Sequence, residues 1–296
     1  MTEPLYAGVE LGGTKCIVIL ASGPDDIREQ IELPTRSPAE TLPAIADILG
    51  RWRGVHALGL ASFGPLDLDP QSPTYGTLIA TPKPGWAGTS LLPLTRVLGV
   101  PFALDTDVNG AGLAEGRWGA AQGLTSWAYV TIGTGIGVAP IVSGIPVRGL
   151  GHAEVGHIRV PGASNGWAGA CPFHGDCAEG LASGPAIAAR TGLPGDQVAD
   201  DDPVWGEVAR AIAHMCHNLA FTVCPERILI GGGIPSKRPQ LLPMIRTALV
   251  ASLAGYGVSN RIAQQIETYI QPPGLGTLAG PLGAIAVADM AATSVS

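Results

Sequence analysis

Two stretches far apart in the chain, LYAGVELGGTKCIVILAS at Leu5–Ser22 and WAYVTIGTGIGVAPIV at Trp127–Val142, share one pattern: an apolar run, a Gly/Thr turn and a second apolar run. Short runs rich in Val and Ile and bounded by glycine read as strands. In the first stretch, strands Leu5–Glu10 and Lys15–Ala21 flank the turn Gly12-Gly13-Thr14; in the second, strands flank Thr131–Gly137. Glycine turns expose backbone N–H groups, threonine adds a hydroxyl, and Lys15 adds a charge beside the first turn, so each can hold a phosphate. Taken singly, either is equally well an ordinary glycine hairpin. Together they point to an internally duplicated fold in which each half gives one loop to a shared nucleotide cleft. Glu10, at the end of the first strand, is placed to face a metal–phosphate complex.

Composition narrows the partners. Of 296 residues, 46% are hydrophobic and only 14% charged, with a net charge of −7. That balance suits a globular protein of one large or two ordinary domains and argues against nucleic acid or an anionic membrane as partner. The 42 glycines and 26 prolines are spread through apolar segments and read as tight turns. Trp118–Val147 carries no charge at all, but Gly133, Gly135, Gly137, Pro140, Gly144 and Pro146 break it, so it reads as buried strands and not a membrane helix. The start, MTEPLYAGVE, has acids and no long apolar core, which gives no signal peptide and a cytoplasmic expectation.

Strands alternate with helical spacing along the rest of the chain. Ala39–Trp52 reads as a helix, then Val55–Ser62 as a strand leading into the loop SFGPLDLDP, where Gly64 and Pro65 are substrate-binding candidates. TPKPGW, Thr81–Trp86, is a two-proline loop of no assigned role. The strand Val100–Asp105 runs into DTDVNGAGLAEG, which sets Asp105 and Asp107 where strand gives way to helix. An acid there caps the helix, and it is also where a general base would sit. Helices are expected over Leu181–Arg190, Pro203–Val223, Arg238–Leu253 and Leu278–Ala292, and strands over Arg227–Gly231 and Ile266–Ile270. The triple glycine Gly231–Gly233 permits close approach to a flat ring or sugar, or makes a tight strand-to-helix turn. The alternation implies α/β layers.

One loop carries metal chemistry. In Gly151–Gly180, His157, Cys171, His174 and Cys177 offer two imidazoles and two thiolates, the number and type of ligand that tetrahedral Zn²⁺ prefers. A closed His₂Cys₂ set leaves no open position, so the metal is expected to be structural. Glu154 and Glu179 flank the ligands. Of the five cysteines, Cys16, Cys216 and Cys224 lie among apolar residues and read as packed thiols in a reducing compartment.

ELGGTK, the DTDVN segment, TIGTGIG, EVGH and CPFHGDCAE, in this order, resemble the ROK family of sugar kinases over essentially the whole chain. SFGPLDL, TPKPGW and CPFHGDC resemble its fructokinase branch. The resemblance implies an actin-like, ribonuclease-H-type duplicated α/β fold with two lobes around a nucleotide and sugar cleft. A smaller lobe would comprise residues 1–115 with about 275–296, and a larger one residues 116–274 with the zinc loop. It implies ATP with Mg²⁺, a structural Zn²⁺, a small-molecule sugar and a homodimer. Carried over by position, Asp107 is the catalytic base, and Gly64, Pro65, Thr106, Glu154, His157 and Glu179 lie near the sugar. Glu10, Gly12, Gly13, Thr14 and Lys15 serve one phosphate loop, Thr131, Gly133, Thr134 and Gly135 the other, and Gly231, Gly232 and Gly233 meet the adenosine.

Three positions depart from the general family pattern: Glu10 for Asp, Thr106 for the Asn of glucose-using members, and His174 for a zinc-loop cysteine. All three look like the fructokinase branch. D-fructose is therefore the expected acceptor, with mannose, glucose or an N-acetylhexosamine as alternatives. A non-catalytic sugar sensor is the rival from another class. The family's repressors carry a DNA-binding segment ahead of the kinase-like body, for which the first strand at Leu5 leaves no room.

Overall fold

Strand β1 (Tyr6–Leu11) pairs antiparallel with β2 (Lys15–Gly23), which pairs antiparallel with β3 (Asp26–Pro34). On its other side β1 pairs parallel with β4 (Ala57–Ser62), and β4 pairs parallel with β5 (Phe102–Thr106). The sheet order is β3-β2-β1-β4-β5. This is a computed structural model, and it describes residues 4–81 and 83–293. Met1–Glu3 of the lead-in and Pro82 of the two-proline loop lie outside the described residues.

Period-two alternation sends the sheet's side chains to two faces. Ala7, Val9, Leu11, Val18 and Leu20 pack with Ile45 and Leu49 of helix α1 (Pro38–Leu49). Ser37 and Glu40 close a capping box at its start. Short helix α2 (Leu92–Thr95) adds Leu94 to this core. Tyr6, Ile19 and Ala21 face the other way, where helix α3 (Asp107–Trp118) contributes Ala114. β3 is the one strand of this sheet with no counterpart in the expected elements. Its sequence DIREQIELP is an edge strand with Arg28, Glu29 and Gln30 exposed, so charge masks the apolar alternation.

The second sheet repeats the first. β6 (Trp127–Ile132) pairs antiparallel with β7 (Ile136–Val142) and parallel with β9 (Arg227–Gly231), and the order is β10-β9-β6-β7-β8. The short outer strands are β8 (Ile145–Pro146) and β10 (Ile270–Gln271), the latter parallel to β9. Read in chain order, both sheets run 3-2-1-4-5, so β1 corresponds to β6 and the Gly12–Thr14 turn to the Gly133–Gly135 turn. Its core joins Ala128, Val130 and Ile132 to Val208, Ile212, Met215 and Leu219 of helix α6 (Val204–Thr222).

Helices of this half are α4 (Ala178–Ala182), α5 (Gly184–Thr191), α6 (Val204–Thr222), α7 (Gly233–Lys237), α8 (Leu241–Leu253), α9 (Ser259–Gln264) and α10 (Ile266–Tyr269). Two expectations are corrected. The helix Leu181–Arg190 is split at Ser183, whose hydroxyl accepts the Ala186 N–H and starts α5 afresh. Ile266–Ile270 is not a strand: Ile266–Tyr269 is helical and the strand is Ile270–Gln271. The apolar and β-branched residues there cover too short a run for periodicity to separate the two.

The final helix α11 (Ala279–Thr293) returns to the first sheet and packs on β1, β4 and α3. A Cβ at Gly283 would lie 2.5 Å from the Gly110 carbonyl carbon, so α11 and α3 touch backbone to backbone. The chain forms two compact units. One is Met1–Gln122 with Pro146–His152 and Gly274–Ser296; the other is Gly123–Ile145 with Ala153–Pro273. Among the described residues, no helix is long and apolar enough to cross a membrane.

Candidate active site

The β1–β2 turn in the first unit is short and its backbone is directional. Gly12 N–H donates to Lys15 O at 3.0 Å, and Thr35 secures the turn by donating its hydroxyl to Gly12 O at 2.7 Å and its N–H to Thr14 O at 2.9 Å. Glu10 ends β1 nearby. Burial first, then the negative charge of Asp107, pushes its carboxyl up to about 7, against the opposing pull of Lys15. Lys15 itself pairs with Glu32 at 2.7 Å. Glu10 lies against the start of α11, where a Cβ at Gly280 would come within 2.0 Å of its Oε1. Gly280 is therefore part of this corner, although its spacing in the sequence connects it to no motif.

Asp107 is the first residue of α3, and the cap before it is Thr106. Thr106 is buried at 3% exposure, and its hydroxyl accepts the Asn109 N–H at 3.2 Å. Asp107 Oδ1 accepts the Val108 N–H at 2.8 Å. The cap is thus the threonine, and neither acid supplies it. Asp105 has a different task. Fully buried, it accepts from Thr106 N–H and from Asn109 Nδ2, each at 2.7 Å, and it pairs with Arg148. A buried carboxylate is tolerated because three donors meet it, two on Oδ1 and the charged Arg148 on Oδ2.

Arg148 belongs to Pro146–His152, the segment assigned to the first unit. The same segment brings His152, whose Nε2 accepts the Leu66 N–H at 3.2 Å, beside Gly64 and Pro65, which are joined by a cis peptide bond. Spacing did not single out Arg148. The available signal was that it is the first charge after the uncharged run Trp118–Val147.

In the second unit, the β6–β7 turn closes with Gly133 N–H donating to Gly135 O at 2.9 Å, and Gly133 O accepts from Gly184 N–H at 2.8 Å. Glu179, in the first turn of α4, accepts the Ile136 N–H at 2.9 Å, so the turn bearing Thr131, Gly133, Thr134 and Gly135 is linked to the loop carrying the metal candidates. The triple glycine makes a strand-to-helix turn from β9 to α7. Gly232 sits at φ +96°, and a Cβ there would meet Ile132 N and O at 2.5 Å, so the close approach is first of all to strand β6.

His157, Cys171, His174 and Cys177 converge, with their ligand atoms all within 4.8 Å of one another. His157 Nδ1 lies 3.7 Å from both Cys171 Sγ and Cys177 Sγ, and His174 Nδ1 lies 3.8 Å from Cys171 Sγ. Zn–S and Zn–N bonds at a tetrahedral angle set such edges at about 3.6 Å, so the donor set fits zinc. His157 turns its other nitrogen, Nε2, toward Glu179 Oε1 at 3.8 Å, while Glu154 precedes the 3₁₀ turn Val155–His157 and its carbonyl accepts the His157 N–H at 3.0 Å. A carboxylate behind a ligating imidazole orients the ring and sets its tautomer.

Two α/β sheets of one topology, each opening with a Gly/Thr turn, define the actin-like class of duplicated folds. The sequence profile of the ROK family matches residues 6–291, and the chain belongs to that family. It is 37% identical to a fructokinase of Pediococcus pentosaceus over 97% of this chain and 98% of that protein. It is 39% identical to a fructokinase of Zymomonas mobilis subsp. mobilis over 97% of each chain. Among solved structures, the ROK family glucokinase from Streptomyces griseus in complex with glucose and AMPPNP is similar at 26% identity and a TM-score of 0.75. That match covers 98% of this chain and 99% of the other.

Proposed function

We propose that this chain is an ATP-dependent fructokinase, transferring the γ-phosphoryl group of ATP to the 6-hydroxyl of D-fructose. The observation that carries this is the near full-length likeness to two fructokinases at 37% and 39% identity. Asp107 is the general base: its Oδ1 is held by the Val108 N–H, and its carboxylate takes the proton of the 6-hydroxyl as the new O–P bond forms and ADP leaves. By the family resemblance, Gly64, Pro65, Thr106, Glu154, His157 and Glu179 are the sugar-binding residues. The Gly12–Thr14 and Thr131–Gly135 turns hold the phosphate oxygens, the first through the N–H groups of Gly13 and Thr14 and the Thr14 hydroxyl, and Gly231–Gly233 meet the adenosine. Glu10 is suited to hold Mg²⁺ through water, which would screen phosphate charge. Zn²⁺ on His157, Cys171, His174 and Cys177 would fix the loop and, through His157, the carboxylate of Glu179.

Phosphorylation of fructose, mannose, glucose and N-acetylhexosamines by ATP tests this reading directly. Fructose should give the highest kcat/KM; a preference for glucose would overturn the assignment. Asp107→Asn should lower kcat by about 10²–10⁴ while fructose binding is largely kept. Near-native turnover in that variant would remove Asp107 from the chemistry. The family resemblance also supports a homodimer working in the cytoplasm, and light scattering on the purified enzyme reads the oligomer.

A further inference from the structure

The β1–β2 turn hides its acceptors and offers its donors. Gly12 O and Thr14 O are taken by Thr35, and Lys15 O by Gly12 N–H. The remaining carbonyl, Gly13 O, accepts from the ammonium of Lys83 at 2.5 Å. The N–H groups of Gly13 and Thr14 have no protein partner among the described residues. A turn arranged this way is a concavity of positive potential, and any anion seated there lies beside Lys83 as well.

Lys83 reaches the turn from a well-anchored loop. Three residues on, Trp86 is fully buried, donates its indole N–H to Arg36 O at 2.9 Å and meets Phe63 edge-on at 5.4 Å between ring centres. The nearby Lys15 is neutralised by Glu32, whereas Lys83 bonds a neutral carbonyl and has no carboxylate partner among the described residues. Its charge is therefore uncompensated. An ammonium carries three donors on a flexible four-carbon stem, so one contact with Gly13 O leaves two donors for phosphate oxygens.

We infer that Lys83 is a further catalytic residue, placing its positive charge on the terminal phosphate of the nucleoside triphosphate at the β1–β2 turn. The inference rests on the kinase reading above and gives the two-proline loop its purpose. In phosphoryl transfer charge builds on the oxygens of the moving group and the leaving diphosphate, and a positioned cation lowers the barrier without moving a proton.

The test compares the native enzyme with Lys83→Met and Lys83→Arg. Calorimetry would measure binding of MgADP and of a non-hydrolysable MgATP analogue. Lys83→Met should weaken the triphosphate analogue about tenfold or more, leave MgADP within about twofold, and lower kcat on fructose by about 10²; Lys83→Arg should recover part of each loss. Lys83 is on the surface, so melting should stay within about 2 °C of native. Equal loss of both nucleotides in Lys83→Met would reduce Lys83 to a tether of the turn and overturn the inference, as would native binding of both. If the native protein phosphorylated no hexose, the fructokinase reading would fail, yet the comparison of the two nucleotides would still decide the role of Lys83.

Discussion

At the scale of single residues, Thr106 and Glu10 each have a measurable consequence. Thr106 caps α3 by accepting from Asn109, which uses its hydroxyl oxygen and not its hydroxyl proton. Asparagine is an equally good cap, so Thr106→Asn should keep the helix while adding an amide. A glucose hydroxyl left unpaired costs about 1–3 kcal/mol, so the fructose-to-glucose ratio of kcat/KM should fall roughly ten- to a hundredfold in that variant. An unmoved ratio would leave Thr106 as a cap and nothing more. Glu10 is held near 7 by burial and by Asp107, above its unfolded value of 4.5. The folded protein thus binds this proton more tightly, and stability falls as pH rises from about 4.5 through 7. Measured without added Mg²⁺, Glu10→Gln should flatten that slope, matching the native protein at pH 5 and exceeding it at pH 8. Parallel pH curves for the two proteins would place the slope elsewhere.

Elements were legible where apolar period and breakers agreed. β9, with its run RILIG, falls on the same residues in sequence and structure, and β1, β2, β4, β6 and α6 differ only at their ends. β3 was not, because an edge strand exposes the charges that hide its period; Ser183 divides α4 from α5 because a serine cap competes with helix continuation. The convergence of His157, Cys171, His174 and Cys177 was legible from residue type and spacing, since two-residue gaps between Cys171, His174 and Cys177 let one tight loop bring three of the four side chains together. A Zn²⁺ bound there would hold the shape of a segment with so little regular structure. Elemental analysis should find one Zn²⁺ per chain in the native enzyme and none in the Cys171→Ser, Cys177→Ser double variant. The double variant should also raise the KM for fructose, because Glu179 loses the imidazole that backs it. Unchanged zinc content would remove the site as drawn.

For the molecule as a whole, the two Gly/Thr turns sufficed to expose the duplication, because each lies after the first strand of a 3-2-1-4-5 sheet. What they could not expose is how the chain leaves and re-enters the first unit. It leaves after Gln122 and comes back finally at Gly274. Both points are tied by one fully buried carboxylate, Glu115, on the inner face of α3. Glu115 Oε2 accepts from Ala120 N–H at 2.7 Å and Gly274 N–H at 2.9 Å, and Oε1 accepts from Leu275 N–H at 2.9 Å. In the sequence Glu115 is one acid in LAEGRW with no motif around it, and partners as distant as Gly274 leave no periodic trace. Removing it strands three backbone donors at once, each unmet donor costing about 1–3 kcal/mol. Glu115→Ala should therefore lower the melting temperature by roughly 5–15 °C. Glu115→Gln should fall between, because its one carbonyl oxygen can replace only part of the carboxylate while its NH₂ faces a donor. Hydrogen exchange gives the local readout. The amides of Ala120, Gly274 and Leu275 should lose protection in Glu115→Ala before the strands of either sheet do. If those amides stay protected and the melting temperature holds, the two crossings are secured by packing of α11, and Glu115 is a passenger.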